Sequence, residues 1–370
     1  MNSKEEELLL KCLKRVAPGT DLRLGIEYIL QAKTGGLLVL GDSEEVLKIT
    51  NGGFYIGCNF TPAKLYELGK MDGAIILSSD TKRILYANTH LFPNPEIPTS
   101  ETGTRHITAE RTAKQTKELV ISISQKRDAV TLYIDNIKYI LEEPRIILSK
   151  ASQAIQTMEK FKNGLNHLIL NLTVKELEGI VTLFDVASIF QRAIIVHKTA
   201  KEVKKYITEL GSDGRLLRMQ TEELLDNIEE DYIKIIKDYI SDEVKIDPVK
   251  LKDKILNIES DEIVELETIS KLLGYGASEN LIELTVLQPR GYRVISEVMR
   301  LQPNVINNII NKFGNLKNIL EANVDELATV QGIGKVKAKY FLERLKKYSE
   351  YYFYNDIYNG KGGLDSKIIF

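Results

Sequence analysis

The hydrophobic pattern of this chain changes its period at Pro144, and this change constrains the fold more than any other feature. Before Pro144, short apolar runs of strand length alternate with helical stripes. After it, apolar residues recur at helical spacing over long segments with few turn residues. Because interleaved strands and helices are typical of α/β domains, and long amphipathic stretches of helical ones, we expect both kinds of domain.

Residues 1–145 predict one α/β domain built around a central mixed sheet. Two helices are expected before Gly35-Gly36, over residues 4–15 and from Asp21 onward. The apolar runs predict strands at 37–40, 74–77, 84–87, 119–123 and 130–134, with a turn at Asp135-Asn136 into residues 137–141. Residues 90–106, rich in Pro and Thr, predict an ordered loop, followed by a helical stretch over 108–116.

Residues 146–285 predict an all-α spine domain. Amphipathic helices are expected at 146–161, 168–188, 200–210 and 216–240. Residues 222–267 carry 16 acidic residues and six lysines, a net charge of −10. We interpret this charge as that of a solvated helical spacer in preference to an acidic docking surface.

The charge reverses after Gln288. Residues 290–350 hold 11 Lys and Arg against six acidic residues, a net charge of +5. The whole chain, with 50 basic and 52 acidic residues, has a net charge of only −2. This near-neutral total therefore conceals an acidic middle and a basic C-terminal module, an asymmetry that indicates nucleic acid as a partner.

The basic module, residues 286–350, contains two predicted amphipathic helices around the turn Val330–Gly334. Glycines in such a turn let a ligand approach the backbone, and free N–H groups at the start of the second helix can bind a phosphate oxygen. The candidate DNA-binding residues are Gly332, Ile333, Gly334, Lys335, Lys337 and Lys339. Contacts of this kind are salt-sensitive and do not read sequence. The alternative is an ordinary helical pair without a ligand.

Other glycine-rich phosphate sites are excluded for this turn. A P-loop needs Gly-Lys followed by Ser or Thr at a fixed spacing, which is missing. A dinucleotide-binding fingerprint would place a third glycine where Lys337 stands. The last residues, 351–370, have no clear period and remain an unassigned tail.

The tripeptide Asp72-Gly73-Ala74 leads into the predicted strand 74–77. A carboxylate just before a buried strand lies at a sheet edge, where it can hold a divalent metal or orient a hydroxyl. The competing interpretation is a turn aspartate, which is the commoner role of such a tripeptide.

The segment TGTRHITAER, residues 102–111, has the composition of an anion cradle. Gly103 frees the backbone, Thr104 and Thr108 offer hydroxyls, and Arg105 is a bidentate donor for phosphate oxygens. We expect Thr108 to cap a helix that begins at Ala109, so that the first amides of the helix face the loop. A capped helix with an arginine and a histidine on its surface remains the alternative.

Three segments in this order, KMDGAIILS, GTRHITAERTAKQT and VISIS, resemble the diadenylate cyclase domain. With the helical middle and a C-terminal turn similar to a helix-hairpin-helix motif, residues 1–350 resemble the DisA family of DNA integrity scanning proteins. The resemblance implies an enzyme that condenses two ATP molecules into cyclic di-AMP and releases two diphosphates. It also implies face-to-face cyclase domains, a homo-octamer, and regulation by branched DNA.

The resemblance assigns roles to individual residues. Asp72, Arg105 and His106 would be catalytic, and Asp72 would hold Mg²⁺ or Mn²⁺ and activate the 3′-hydroxyl. The ATP-binding residues would be Gly73, Leu91, Thr104, Arg105, His106, Ile107, Thr108 and Ser124. Such chemistry consists of positioning and charge neutralisation.

One position departs from the family pattern. The family usually reads Arg-His-Arg in this loop, and Ile107 replaces the second arginine. Losing one charge-assisted contact to a developing anion costs on the order of tens- to thousands-fold in rate. Either another cation such as Arg111 compensates, or turnover is slow. The alternative function is a non-enzymatic scaffold of DNA repair that binds nucleotide and DNA.

The remaining features concern location. Cys12 and Cys58 exclude a disulfide framework and fit a reducing cytosol. The N-terminal residues lack the apolar core of a signal peptide, and no stretch approaches the length of a membrane helix. A cytoplasmic protein without membrane contact is therefore expected.

Overall fold

A computed structural model describes residues 3–126, 128–226, 228–258, 263–276 and 278–359. The chain divides into two compact units. The first consists of residues 1–154 and 202–220, and the second of residues 155–201 and 221–370. An α/β region followed by helices alone confirms the predicted fold class.

The α/β region has alternating helices and strands along the chain. Its helices are α1 (Ser3–Val16), α2 (Asp21–Gln31), α3 (Glu44–Lys48), α4 (Pro62–Leu68) and α5 (Thr104–Thr116). Its strands are β1 (Gly36–Leu40), β2 (Thr50–Asn51), β3 (Phe54–Asn59), β4 (Ala74–Leu77), β5 (Arg83–Leu91), β6 (Leu119–Ser124), β7 (Ala129–Ile134) and β8 (Ile137–Ile140).

The strands form one mixed sheet in the order β2-β5-β4-β1-β6-β7-β8, and β3 also pairs with β5. Strands β1 and β4 run parallel, and the other paired strands are antiparallel. Alternate residues of β1 point to opposite faces: Leu38 packs with α1, α2 and α4, whereas Val39 packs with α3 and α5. The sheet is therefore the middle of three layers, which explains why the central strands are apolar on both faces.

The sequence located most strands of the sheet and missed β2 and β3. All five apolar runs lie within strands, and the turn at Asp135-Asn136 is confirmed. The polar and glycine-containing strands β2 and β3 were not predicted, nor were the short helices α3 and α4. Their residues are largely exposed, so no apolar run marks them.

The start predicted for the helix in the second motif was wrong. Helix α5 begins at Thr104, and its N-cap is Gly103. Thr108 therefore lies inside the helix and does not cap it. The helix extends into the loop because its first-turn residues need not be apolar, so their pattern carries no sign of it.

The helical region begins with two long helices. The long helices are α6 (Pro144–Glu178) and α7 (Leu183–Leu210), followed by a 3₁₀ turn over Gly211–Gly214. The predicted break near residue 165 and the predicted helix 168–188 were wrong. Helix α6 is continuous there and ends before Gly179, whose φ of 74° is left-handed. A glycine directly after the last helical residue commonly ends a helix, because glycine adopts the left-handed conformation easily.

Shorter helices complete the region. They are α8 (Arg215–Leu225), α9 (Ile228–Tyr239), α10 (Pro248–Leu256), α11 (Leu266–Leu273), α12 (Glu279–Ile282), α13 (Tyr292–Val298), α14 (Pro303–Phe313), α15 (Leu316–Glu321), α16 (Val324–Ala328) and α17 (Lys335–Asn359). The single helix predicted over 216–240 is thus two, α8 and α9. Among the described residues, no helix is long and apolar enough to cross a bilayer.

Two apolar cores lie within the second unit. One gathers residues of α6, α7 and α9–α12, with Phe190 and Tyr239 buried in it. The other gathers residues of α13–α17, including Ile309 and Phe341. The predicted domain boundaries at 145, 285 and 350 stay predictions. Of the unassigned tail, residues up to Asn359 extend α17, and residues 360–370 lie outside the described part.

Candidate functional site

The register of the sheet brings the two N-terminal motifs to one edge. Leu37 pairs with Ala74 in the parallel ladder, so β1 and β4 begin together there. The antiparallel pairs Gly36–Ile123 and Ala74–Thr89 place the ends of β6 and β5 at the same edge. Four of the predicted residues therefore share this edge: Asp72, Gly73, Leu91 and Ser124.

Asp72 and Gly73 lie immediately before β4, and both are exposed. Gly73 has a φ of 88°, and a Cβ there would lie 2.7 Å from the Thr89 carbonyl oxygen. The pairing of β4 with β5 therefore requires a glycine at this position, whether or not a ligand binds there. Beside it, Asn88 is itself left-handed with a φ of 56°, where the register of β4 and β5 shifts. Such bulges are common next to active sites.

The donor set at Asp72 fits a divalent ion that is shared with a substrate. The described residues contain no cluster of three or more His, Cys, Asp or Glu side chains that could hold a metal. Mg²⁺ is commonly bound by one or two carboxylates together with substrate phosphate oxygens. A single exposed carboxylate at this edge agrees with that mode of binding and not with an all-protein cage.

Arg105 lies across the same edge. Its Nη1 atom donates to the carbonyl oxygen of Ile123, 3.1 Å away. Gly35, with a φ of 73°, lies so close that a Cβ would collide with that guanidinium nitrogen. The sequence suggested Gly35 only as the end of a helix. Its second role, making room for Arg105, becomes visible only when β1 and β6 are paired.

The first turn of α5 adds backbone donors next to Arg105. Its N-cap, Gly103, makes no side-chain capping bond, so the amides of the first turn lack the usual internal acceptor. The positive end of the helix dipole favours an anion at this position. Thr104, the first helical residue, is exposed there, and Thr108 is half-buried one turn further on.

His106 belongs to a hydrogen-bond network that the sequence did not reveal. Its Nδ1 atom lies 2.8 Å from the hydroxyl of Tyr133 on β7. That hydroxyl donates to Glu101 Oε1 at 2.8 Å. The ammonium of Lys138 on β8 lies 2.5 Å from the same carboxylate oxygen. Burial opposes ionisation of Glu101, but the bonds from Lys138 and Tyr133 outweigh it and lower the pKa of Glu101.

Ile107 is half-buried in α5, and Arg111 is engaged elsewhere. Arg111 Nε donates to the carbonyl oxygen of Ile97 at 2.8 Å, within the loop that precedes the helix. The same loop is held by Lys114, which donates to Pro98, and by Glu110, which accepts from Thr99. Glu110, Arg111 and Lys114 of α5 thus hold residues 97–99 of the loop by hydrogen bonds. Arg111 therefore stabilises the loop, and no observed contact directs it to the position of the missing arginine.

The C-terminal turn has the predicted arrangement of two helices. Asn323 and Glu326 form a capping box at the start of α16. Gly332 has a φ of 98°, and a Cβ there would lie 2.7 Å from Val305. Ile333 is buried in the core of α13–α17. These two turn residues are therefore fixed by packing.

The other predicted residues of this turn are exposed. Gly334 precedes α17, and a Cβ there would meet no atom within 4 Å. Lys335 lies 3.0 Å from Asp325 in an exposed ion pair. Lys337 and Lys339 flank the buried Ala338, so they project from opposite sides of the helix face that packs inward. The turn thus presents an open backbone with lysines around it.

The net charge of the basic module overstates its exposed charge. Arg293 is only 1% exposed and is paired with Glu176 and Glu297. Arg290 donates to carbonyl oxygens at the end of α9 and to Asp242. Both arginines are therefore engaged by groups of the protein itself, and the exposed charge of the module comes from Arg300, Lys312, Lys317 and the lysines of α17.

An α/β domain that gathers a carboxylate, an arginine, a histidine and an uncapped helix N-terminus at one sheet edge is of the nucleotide-binding class. Comparison with protein-family models agrees: the DisA bacterial checkpoint controller nucleotide-binding model matches residues 23–137. The model of the DisA bacterial checkpoint controller linker region matches residues 141–282.

Curated relatives match over nearly the full length. The DNA integrity scanning protein DisA of Acetivibrio thermocellus is 47% identical over 95% of this chain and 98% of its own length. The protein of the same name from Carboxydothermus hydrogenoformans is 49% identical over 94% of this chain and 98% of its own. The chain belongs to the DisA family.

Proposed function

We propose that this protein is a diadenylate cyclase that condenses two ATP molecules into cyclic di-AMP. In each half-reaction the 3′-hydroxyl oxygen of one ATP forms a bond to the α-phosphorus of the other. The bond from that phosphorus to the bridging oxygen of the β-phosphate breaks, so diphosphate leaves and the hydroxyl proton is released. The observation that supports this most is the gathering of Asp72, Arg105, His106 and the α5 amides at one edge.

Each group at the edge has a distinct part in this reaction. Asp72 accepts a hydrogen bond from the 3′-hydroxyl and raises the electron density on its oxygen. Thr104, Arg105, His106, Thr108 and the first amides of α5 bind phosphate oxygens, and Leu91 and Ser124 border the nucleotide. Asp72 would hold a divalent ion, Mg²⁺ or Mn²⁺, together with the phosphates, and this ion would neutralise charge that develops on the leaving diphosphate. Electrostatic stabilisation of this kind is commonly the largest contribution to catalysis.

The proposal requires at least two copies of the chain. One edge holds one ATP, and the two nucleotides must face each other so that each hydroxyl reaches the other α-phosphate. A homo-oligomer, and by family resemblance an octamer, follows as part of the proposal. We also place the protein in the cytoplasm, where ATP is abundant and where the free thiols Cys12 and Cys58 stay reduced.

Incubation of the purified protein with ATP and Mn²⁺, followed by chromatography, tests the activity. We expect cyclic di-AMP, with a rate per protein molecule that rises with protein concentration as copies associate. If no cyclic dinucleotide forms at any concentration, the protein is a nucleotide- and DNA-binding scaffold of DNA repair instead. The absence of an arginine at Ile107 favours that second function.

Restoring the missing arginine is expected to speed the reaction. Ile107→Arg should raise kcat about tenfold or more, because an added charge-assisted donor stabilises the transition state. Steady-state production of cyclic di-AMP measures this. Ile107→Met, which fills a similar volume without charge, is the control and should leave kcat near that of the parent. Equal rates for the parent and the arginine variant would mean that the contact is not needed here.

We further propose that the turn between α16 and α17 binds branched DNA through phosphate contacts, and that this binding regulates the cyclase. The relatives' name, DNA integrity scanning protein, supports a DNA partner. The open space at Gly334 supports close approach of a backbone phosphate, since no described atom lies within 4 Å of the position that a Cβ would take there. Lys337 and Lys339, exposed beside it, supply positive charge.

A substitution at Gly334 should separate DNA binding from folding. Aspartate is a preferred N-cap residue, so Gly334→Asp should leave the thermal stability unchanged or slightly higher. Its charge repels phosphate, and we expect DNA affinity to fall about tenfold or more, measured by fluorescence anisotropy at fixed salt. Gly334→Asn, equally good as a cap and uncharged, should lose less. If both variants bind a branched DNA as tightly as the parent does, the turn is not the DNA site.

A further inference from the structure

We propose that Tyr133 and Glu101 are positioning residues that hold His106 in one orientation, with Nδ1–H facing Tyr133 and Nε2 on the opposite side of the ring. This inference rests on the cyclase function proposed above. The known features of the site do not require it, because neither Tyr133 nor Glu101 belongs to the motifs around Asp72 or Arg105.

The direction of the hydrogen bonds follows from counting protons. An ionised carboxylate can only accept, so the single hydroxyl proton of Tyr133 is donated to Glu101. The tyrosine oxygen must then accept from His106, which requires a proton on Nδ1. A neutral His106 therefore carries its lone pair on Nε2, and a protonated His106 donates from that atom. In both states Nδ1 is the nitrogen that donates to Tyr133.

Glu101 is kept ionised by its surroundings. Its side chain is only 8% exposed, yet the Lys138 ammonium lies 2.5 Å from Oε1. Lys138 and Tyr133 are paired neighbours on β8 and β7, so the sheet fixes both donors relative to the carboxylate. The lowered pKa of Glu101 agrees with this arrangement.

The network also connects His106 to the loop before α5. Glu101 lies in that loop, and its backbone N–H donates to Thr99 Oγ1 at 3.1 Å. Tyr133 is 1% exposed and cannot swing away without leaving the apolar core between the sheet and α5. The orientation of the histidine is therefore set by a rigid strand on one side and by the bound loop on the other. Groups of this kind, one contact removed from a reacting side chain, fix its tautomer.

The first experiment reads the tautomer directly, without ATP. Solid-state NMR of ¹⁵N-histidine-labelled full-length protein separates protonated from unprotonated ring nitrogens, and a difference spectrum with His106→Gln identifies the His106 signals. At a pH where the ring is neutral, we expect Nδ1–H for His106, and a loss of that preference in Tyr133→Phe. An Nε2–H tautomer in the parent protein overturns the inference.

The second experiment measures cyclase kinetics. Tyr133→Phe and Glu101→Gln should each lower kcat about ten- to a hundredfold, with a smaller change in KM, as removal of a supporting contact commonly does. The matched control is Tyr139→Phe. It removes another tyrosine hydroxyl of the same unit, bonded to Glu209 at 2.6 Å and remote from His106 in the hydrogen-bond network. Unchanged kcat in both network variants, or an equal loss in the control, overturns the inference.

The two experiments separate this inference from the function on which it rests. If the parent protein makes no cyclic di-AMP, the proposed function fails, while the NMR result still decides how His106 is held. If the parent is active and the tautomer is as expected but the variants keep full kcat, the network holds the ring without any role in catalysis, and the positioning role is overturned.

Discussion

Replacing Arg293 by methionine will destabilise the second unit by about 3–5 kcal/mol, the usual result of leaving a buried charge without its partner. Arg293 is 1% exposed and contacts Glu176, whose side chain is fully buried. Tyr239 also donates to that carboxylate at 2.6 Å. Without the guanidinium, Glu176 must either stay charged in an apolar core or take up a proton. The midpoint of urea unfolding, monitored by tyrosine fluorescence, measures the loss.

The carboxylate of Asp238 also depends on the buried charge of Arg293. Asp238 is fully buried and accepts bonds from the backbone N–H groups of Gly291, Tyr292 and Arg293. Burial first, and the nearby Glu176 carboxylate second, raise the pKa of Asp238 to about 7. Two acidic side chains therefore depend on one buried cation, and Asp238 caps the start of α13 at the same time.

A double variant and a surface control make this prediction specific. Glu176→Gln combined with Arg293→Met should recover much of the stability, because glutamine still accepts from Tyr239 and the unpaired charge of Glu176 is removed. Asp238 keeps its three backbone N–H donors in this variant. Lys346→Met breaks an exposed pair with Glu350 and should change stability by no more than about 1 kcal/mol. A loss in Arg293→Met as small as in the Lys346 control would contradict the proposed importance of the buried pair.

Replacing Asp72 by asparagine will abolish cyclic di-AMP synthesis while the fold is retained. The side chain is exposed at the edge of the sheet, so its charge does not support the core. Asparagine has almost the same shape and lacks the negative charge that the proposed ion and hydroxyl require. Loss of such a group is expected to lower kcat by about a hundredfold or more.

The control for Asp72→Asn lies at the other end of the same strand. Asp80, also exposed, bonds Ser78 and Lys82 in the turn after β4. Asp80→Asn should leave the cyclase rate within about twofold of the parent, since surface changes away from a site are usually mild. DNA binding, measured in parallel, should be the same in both variants. Residual activity of Asp72→Asn equal to that of Asp80→Asn would remove Asp72 from the mechanism.

Hydrophobic period was a reliable guide to the buried strands of the sheet. The runs at 37–40, 74–77 and 119–123 are strands because every residue of them is covered on one face or the other. Strand β3 escaped detection since Phe54 and Tyr55 are exposed and Gly57 interrupts it. The start of α5 escaped for a similar reason: its first turn is polar and faces the sheet edge.

Motif spacing led to the predictions for Asp72, Arg105 and the C-terminal turn, because each belongs to a local group of residues whose chemistry can be inferred from neighbours in the chain. Gly35, Glu101 and Tyr133 could not be found in this way. Gly35 matters because β1 pairs with β6, and Tyr133 because α5 packs on the face of β7 that carries it. The only local signal was the position of Glu101 just before the second motif.

By itself, the sequence determined the order of the α/β and helical regions and the charge asymmetry, because these depend on residues close together in the chain. Only the tertiary structure decided which charges are exposed and which are buried. It showed that Arg290 and Arg293, which the sequence could only count in the net charge of the basic module, bind groups of α9 and α6. It also gave His106 its partners, since a hydrogen bond between residues 106 and 133 depends on strand register and helix packing, which no local pattern encodes.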